Sequence, residues 1–237
     1  MPLATYDARY LGKSDCDATG LFRFERPLEY HASAGQWFRL TLDTREGEQT
    51  KTFSDAAAPM ELRMDLTTRL TGSAFKDALV DLADGHVVDI SGPGGRFVVS
   101  DDTRYLALLA GGVGIAPGRA IIRDHLLRAD SSTSMTLLFG NNEEACGPFV
   151  AEFIDYDERL PWFQFVDVVA HPGPDWAGET GFITAQVVDR HLDLSKPWEF
   201  MVAGPPAMIE PMRRVLDELE IPVERRHFET YAGYAPA

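Results

Sequence analysis

The chain has 237 residues, 45% of them hydrophobic, and a formal net charge of −15. That length fits two modest domains with separate cores, and the acidity excludes a surface that attracts nucleic acid or anionic lipid. No apolar run reaches the length of a membrane span, and the start, MPLATYDARY, lacks the basic and apolar regions of a signal peptide. Cys16 and Cys146 stand far apart. They make neither a disulfide framework nor a Cys-rich metal or iron–sulfur site, and the expected compartment is the cytoplasm.

Residues 1 to about 100 carry short β-type runs broken by Gly, Asp and Pro: GLFRFERP, GQWFRLTLD, QTKTFSDA, MELRMDLTTRL, HVVDISGP and GRFVVS. Several alternate apolar and polar residues, as half-buried antiparallel strands do. One helix interrupts them, SAFKDALVDLA from Ser73 to Ala83, with Phe75, Ala78, Leu79 and Leu82 on one face. Six strands and one helix predict a small antiparallel β-barrel over residues 1–100. SDDT, Ser100 to Thr103, reads as a hinge.

From there strand and helix alternate. YLALLAGG, SMTLLFG, WFQFVDVVA, WEFMVAG and the closing VERRHFETY read as strands. PGRAIIRDHLLR, GPFVAEFIDYDER, ITAQVVDRHL and PPAMIEPMRRVLDELE read as helices. Continuously apolar strands between helices predict a five-stranded parallel α/β domain over residues 101–237.

Gly111, Gly112 and Gly114 stand where the first of these strands feeds its helix. Glycine lets backbone approach a ligand closely, and the helix start offers free N–H groups and partial positive charge, which suits a pyrophosphate. The same glycines also fit a tight turn without a ligand. The pattern is not a Rossmann fingerprint, because Pro117 stands where its third glycine belongs, and no GK[ST] of a P-loop follows. Proline in the first helical turn is well tolerated. Gly140 and Gly204 also mark strand ends. In an open α/β sheet ligands bind at the carboxyl ends of strands, so the three junctions describe one crevice.

Taken in order, these motifs resemble the ferredoxin–NADP reductase-like flavoprotein oxidoreductases. KTFSDAAAP resembles their flavin motif R-x-Y-[ST], GSAFKDAL their flavin-phosphate segment, and GGVGIAPGRAIIRD their nicotinamide-cofactor turn, which has proline at the position of Pro117. SGPGGRFVV resembles the barrel's closing strand, and LLFGNNEE, DWAGETGFIT, VAGPPAM and HFETYAGY follow in the family's order. The resemblance runs from about Tyr6 to Tyr234. It implies an FAD-binding barrel, with FMN as the alternative flavin, followed by an NAD(P)-binding domain. Hydride would pass from nicotinamide to flavin, and electrons to a separate acceptor such as ferredoxin, flavodoxin or an oxygenase component.

Carried over residue by residue, the resemblance assigns the flavin to Lys51, Thr52, Phe53 and Ser54, and its phosphates to Arg69, Ser73, Ala74, Phe75 and Lys76. It assigns the nicotinamide nucleotide to Gly112, Gly114, Ile115, Pro117, Gly140, Asn141, Asn142, Gly204, Pro205, Pro206 and Met208, with Tyr231 and Tyr234 as terminal aromatics that cover the flavin. Ser54, beside flavin N5, and Tyr234 take the catalytic roles. Lys51 replaces the family's Arg, Phe53 its Tyr, and Ala203 the Cys of its C-G-P-P. Lysine keeps the charge without a bidentate fork, and phenylalanine keeps the ring without the hydroxyl. Glu143 and Glu144 would repel a 2′-phosphate and favour NADH over NADPH, while Arg119 and Arg123 keep NADPH open. Asp55, beside Ser54, either shifts the flavin potential or points to solvent. The six histidines show no ligand spacing and read as surface or satisfied residues. The competing reading of the three replacements is a degenerate member that binds flavin or nucleotide as a regulatory or docking module without turnover.

Overall fold

The computed structural model describes residues 3–16, 19–143 and 147–231. The chain separates into two compact units: Met1–Val99 with Arg119–Arg128, and Ser100–Gly118 with Ala129–Ala237.

The first unit holds β1 (Ala4–Cys16), β2 (Thr19–Glu25), β3 (Trp37–Thr44), β4 (Gly47–Ser54), β5 (Arg63–Arg69), α1 (Ala74–Val80) and β6 (Val87–Gly94). They form one curled antiparallel sheet in the order β4-β3-β6-β1-β2-β5. Alternation puts Phe22 and Phe24 of β2 and Phe38, Leu40 and Leu42 of β3 on its inner face, where they meet Met64, Leu66 and Ile90. Phe75 and Leu79 of α1 close that core, and Ala78 and Leu82 pack against it. In β5 the opposite face is buried as well: Asp65 and Thr67 lie among five consecutive buried positions.

One strand differs from expectation. GRFVVS forms no strand, and the sixth strand is β1 at the chain start. The Gly95–Ser100 segment is held by packing instead of a ladder. The Gln36 amide donates to the Gly95 carbonyl at 3.2 Å, and the Phe97 carbonyl fills the space a side chain at Gly35 would need. β1 lacked a strand signature because its register shifts between Tyr10 and Gly12, which interrupts the alternation.

The second unit holds β7 (Tyr105–Gly111), β8 (Ser134–Asn141), α3 (Val150–Arg159), β9 (Phe163–Val169), β10 (Glu179–Thr180), α4 (Ala185–His191), β11 (Glu199–Gly204), α5 (Pro206–Glu218) and β12 (Arg226–Thr230). A 3-10 turn, Gly112–Ile115, leads from β7 into α2 (Ala116–Leu127), whose residues from Arg119 onward cluster with the first unit. The sheet is parallel in the order β10-β9-β8-β7-β11-β12. It has six strands where five were expected, the extra one being the two-residue β10. Leu109, Leu138, Val202 and Phe200 from the central strands meet Val188, Ile209, Met212 and Leu216 from the helices. Among the described residues no helix is long and apolar enough to cross a membrane.

Candidate functional site

In the first unit the motif KTFS occupies the end of β4. Lys51 and Thr52 are exposed, Phe53 is half-buried and Ser54 is buried. Phe53 pairs with Phe38 across the ladder, and its ring stacks on Phe75 with centroids 5.8 Å apart at 29°. Ser54 pairs with Trp37 of β3. Phe75 and Ala74 sit in the interior, so only their backbone faces a ligand.

Ser73 precedes α1 with extended backbone, and its hydroxyl makes no capping bond. Arg69 ends β5, and the Lys76 ammonium donates to the Arg69 carbonyl. Burial, and then the Arg69 guanidinium, pull the Lys76 pKa below its ordinary value. Two cations thus share one strand end beside a serine, a donor set that fits an anion.

Asp55 neither points to solvent nor lies open toward a ligand; it is buried. Oδ2 accepts from Arg26 Nη2 at 2.8 Å, and Oδ1 accepts from the backbone N–H of Ala57 at 2.9 Å and of Asp65 at 3.0 Å. Burial pushes its carboxyl up to about 6, against the opposing pull of Arg26 and the two amides. Arg26 also donates to the carbonyls of Glu61, Ala58 and Arg63, while its Nη1 has no partner. Next to this pair, the fully buried Asp65 binds Arg119 Nη1 at 3.0 Å and Arg63 Nε at 3.0 Å. Arg119 also donates to the Ala56 carbonyl. Arg123 grips both oxygens of Glu61, at 2.9 and 2.7 Å. The expectation that Arg119 and Arg123 keep NADPH open is therefore corrected, since both guanidinium groups are engaged by carboxylates. Arg26 and Asp65 were not singled out in the sequence, where isolated charged residues read as solvated.

In the second unit the ends of three adjacent strands align. Gly111 of β7 faces Gly140 of β8, and Ala110 faces Ala203 of β11, so Gly204 stands one rung on, level with Gly111. The result is a ledge without side chains across β8, β7 and β11, with the Met208 sulfur over Gly111 and Gly204. Gly112 turns the chain with φ +54°. Gly114 meets a different demand: a Cβ there would stand 2.4 Å from the Ala203 carbonyl oxygen and 2.7 Å from Gly204 Cα. It is glycine because β11 backbone packs on it. Ile115 and Pro117 are buried, and Pro117 occupies the first turn of α2.

At the end of β8, Asn141 donates to Asp167 at 2.8 Å and is buried, while Asn142 and Glu143 are exposed. Pro205 caps α5, Pro206 opens it, and the Pro205 carbonyl accepts from Met208 N. Ala203 is buried within β11. Past β12, the backbone N–H of Tyr231 donates to the Gly204 carbonyl, which brings the tail to the ledge. Tyr234 and Glu144 lie outside the described residues. His125, His191 and His227 are satisfied by the Ile121 carbonyl, Glu179 and Glu199.

Residues 108–214 match the model of the oxidoreductase NAD-binding domain. The chain is 32% identical over 216 residues to the phenol hydroxylase P5 protein of Acinetobacter pittii, covering 86% of this chain and 59% of that one. Its structure superposes on the Amycolatopsis cytochrome P-450 reductase GcoB with TM-score 0.83 at 27% identity, covering 96% of this chain and 70% of the other. It shares the fold of a ferredoxin NADP+ reductase from Neisseria gonorrhoeae, with TM-score 0.82 at 17% identity, covering 95% of this chain and 98% of the other. Other curated relatives are matched over only 39% of their length.

Proposed function

As a member of the ferredoxin–NADP reductase-like family, this chain, we propose, is an NAD(P)H-dependent flavoprotein reductase that takes hydride from NADH in preference to NADPH and passes electrons to a separate acceptor. In this reading residues 1–100 hold FAD, and residues 101–237 hold the nicotinamide nucleotide. The observation that carries it is the ledge of Gly111, Gly140 and Gly204, where three parallel strand ends leave backbone bare at the place α/β sheets bind ligands. The flavin, when bound, supplies the chemistry, accepting hydride and releasing electrons singly.

The chain's own residues bind and orient. Arg69, Lys76 and Ser73 hold the flavin phosphates, and the charge on Lys76, held below its ordinary pKa, is favoured again by an anion. Phe53 presents its ring, and Ser54 Oγ holds a proton at the flavin edge. Glu143, exposed after β8, disfavours a 2′-phosphate, and the engagement of Arg119 and Arg123 removes the two cations nearest in sequence to the glycine turn that could have welcomed one. The acceptor is a separate protein component such as a ferredoxin, a flavodoxin or an oxygenase component, and the compartment is the cytoplasm.

The test is the visible spectrum of the purified protein, followed by anaerobic addition of NADH and, separately, NADPH. Bleaching of bound flavin, faster with NADH, is the expected result. Bound flavin that neither nucleotide reduces would establish the docking module without turnover, with Ala203 as the first position to examine. Failure to take up either FAD or FMN refutes the flavin site.

A further inference from the structure

We propose that Asp55 is a positioning residue for Ser54, one that holds this stretch of chain in its working conformation only while its carboxylate is charged. The proposal rests on the flavin reading above, which puts Ser54 at the flavin edge.

Ser54 is the last residue of β4, and the chain turns away immediately after it. What fixes that turn is the Asp55 carboxylate. It accepts from Ala57 N and Asp65 N, which ties the end of β4 to β5, and from Arg26 Nη2, which ties it to the end of β2. Its own N–H donates to the Gln36 carbonyl at 3.1 Å. Arg26 extends the grip, because its donors reach the carbonyls of Ala58, Glu61 and Arg63 and so hold the segment 55–63 from within.

The pair is nearly dry, with side chains 7% and 8% exposed. Charged groups face it from each neighbouring element. Arg26 follows β2, with Tyr30 just beyond, its ring 5.8 Å from the guanidinium. Asp65 comes from β5, Glu61 and Arg63 from the segment before it, and Arg119 from α2, bound to Asp65. Only Asp55 forms an ion pair with Arg26. Protonating Asp55 therefore leaves a buried guanidinium without an anion, and that guanidinium already carries one unpartnered nitrogen.

The energetics point away from a purely stabilising role. Burial raises the Asp55 carboxyl to about 6 despite a cation and two amide donors, so desolvation outweighs everything its partners return. A pair that costs the folded state free energy is retained for the geometry it imposes, and the geometry next to it is that of Ser54. As pH falls through about 6 the carboxylate takes up a solvent proton, Arg26 loses its anion, and Ser54 is released.

The experiment follows the backbone amide signals of Ser54 and Ala57 by NMR from pH 7.5 to 5, in the purified protein with the flavin it carries. It is paired with the pH profile of flavin reduction by NADH. In the wild type both amides should shift with one midpoint near 6, and reduction should slow at least threefold across that midpoint. In Asp55→Asn both amides should lose the titration and the rate should become flat with pH. A Ser54 amide that does not titrate in the wild type, or titrates unchanged in the variant, overturns the proposal, and the wild-type arm stands even if the variant does not fold. Flavin reduction without titration at Ser54 overturns the clamp alone. Titration at Ser54 in a chain that takes up no flavin overturns the flavin reading, and with it the role given to Ser54.

Discussion

Replacing Gly114 with alanine puts a methyl group where the backbone of β11 already stands. The new Cβ would lie 2.4 Å from the Ala203 oxygen, 2.7 Å from Gly204 Cα and 2.8 Å from the Ala203 carbonyl carbon. All three atoms belong to a central strand hydrogen-bonded on both sides, so they yield only if β11 moves. Overpacking of this kind costs about 1–3 kcal/mol or more. Against it stands a gain of about 0.4–1 kcal/mol from the stiffer unfolded chain. Gly111→Ala is the internal control. Its Cβ would meet the Met208 sulfur at 2.6 Å, the tip region of an unbranched side chain that can swing aside, and its φ of −139° suits any residue. We expect Gly111→Ala within about 0.5 kcal/mol of wild type and Gly114→Ala destabilised by about 2 kcal/mol, a fall in Tm of several degrees. Urea denaturation and thermal melts of the two proteins decide it. Equal stability of the two would refute the assignment of Gly114 to strand packing and return that glycine to the ligand.

Breaking the buried pair by Arg119→Met should cost about 3 kcal/mol in urea denaturation, because Asp65 is then left charged, fully buried and held only by Arg63. Acid should affect the Asp55 contribution in the opposite sense to an ordinary paired carboxylate. The folded group, at about 6, binds its proton more tightly than the ordinary group at 3.8. Its contribution to stability therefore rises as pH falls from about 6 to 4, by up to about 3 kcal/mol, so wild type should gain on Asp55→Asn between pH 7 and 5. Removing both Arg69 and Lys76 as alanines should weaken FAD binding at least tenfold and flatten its salt dependence, read by fluorescence titration. Glu143→Arg should raise kcat/KM for NADPH relative to NADH severalfold.

The parallel sheet was legible because each strand is apolar throughout and bounded by glycine or polar turns, and the core helices because their apolar positions recur on one face. The three glycine-marked strand ends could be read as one crevice because parallel strands share a carboxyl edge. β1 was not legible, since the shift between Tyr10 and Gly12 breaks its alternation. GRFVVS read as a strand because Phe97, Val98 and Val99 have the right composition, and composition does not reveal that Gln36 and the turn at Gly35 hold the segment instead. Gly114 shows the limit from the other side. A glycine that admits a phosphate and a glycine that admits a neighbouring strand look alike until the neighbour is in place.

The charged residues were the least legible part, and the reason is physical. Arg26 and Asp55 are 29 positions apart, and Arg119 and Asp65 are 54 apart. No local period links such pairs, and a lone Arg or Asp is solvated in most proteins. Yet in β5 the sequence MDLTTR gives an outward face of Asp65 and Thr67 that is as buried as the inward face of Met64 and Leu66. A strand that buries both faces while carrying an aspartate requires a cation above it. Arg119 meets that requirement, and the segment 55–63, drawn over the same face by the Asp65 N–H to Asp55 bond, brings Arg26 to the second carboxylate. The conformation of Ser54 thus depends on charges from four separate stretches of chain, and a reductase built this way should show its pH sensitivity at the β4 end before it shows it anywhere in the nucleotide-binding sheet.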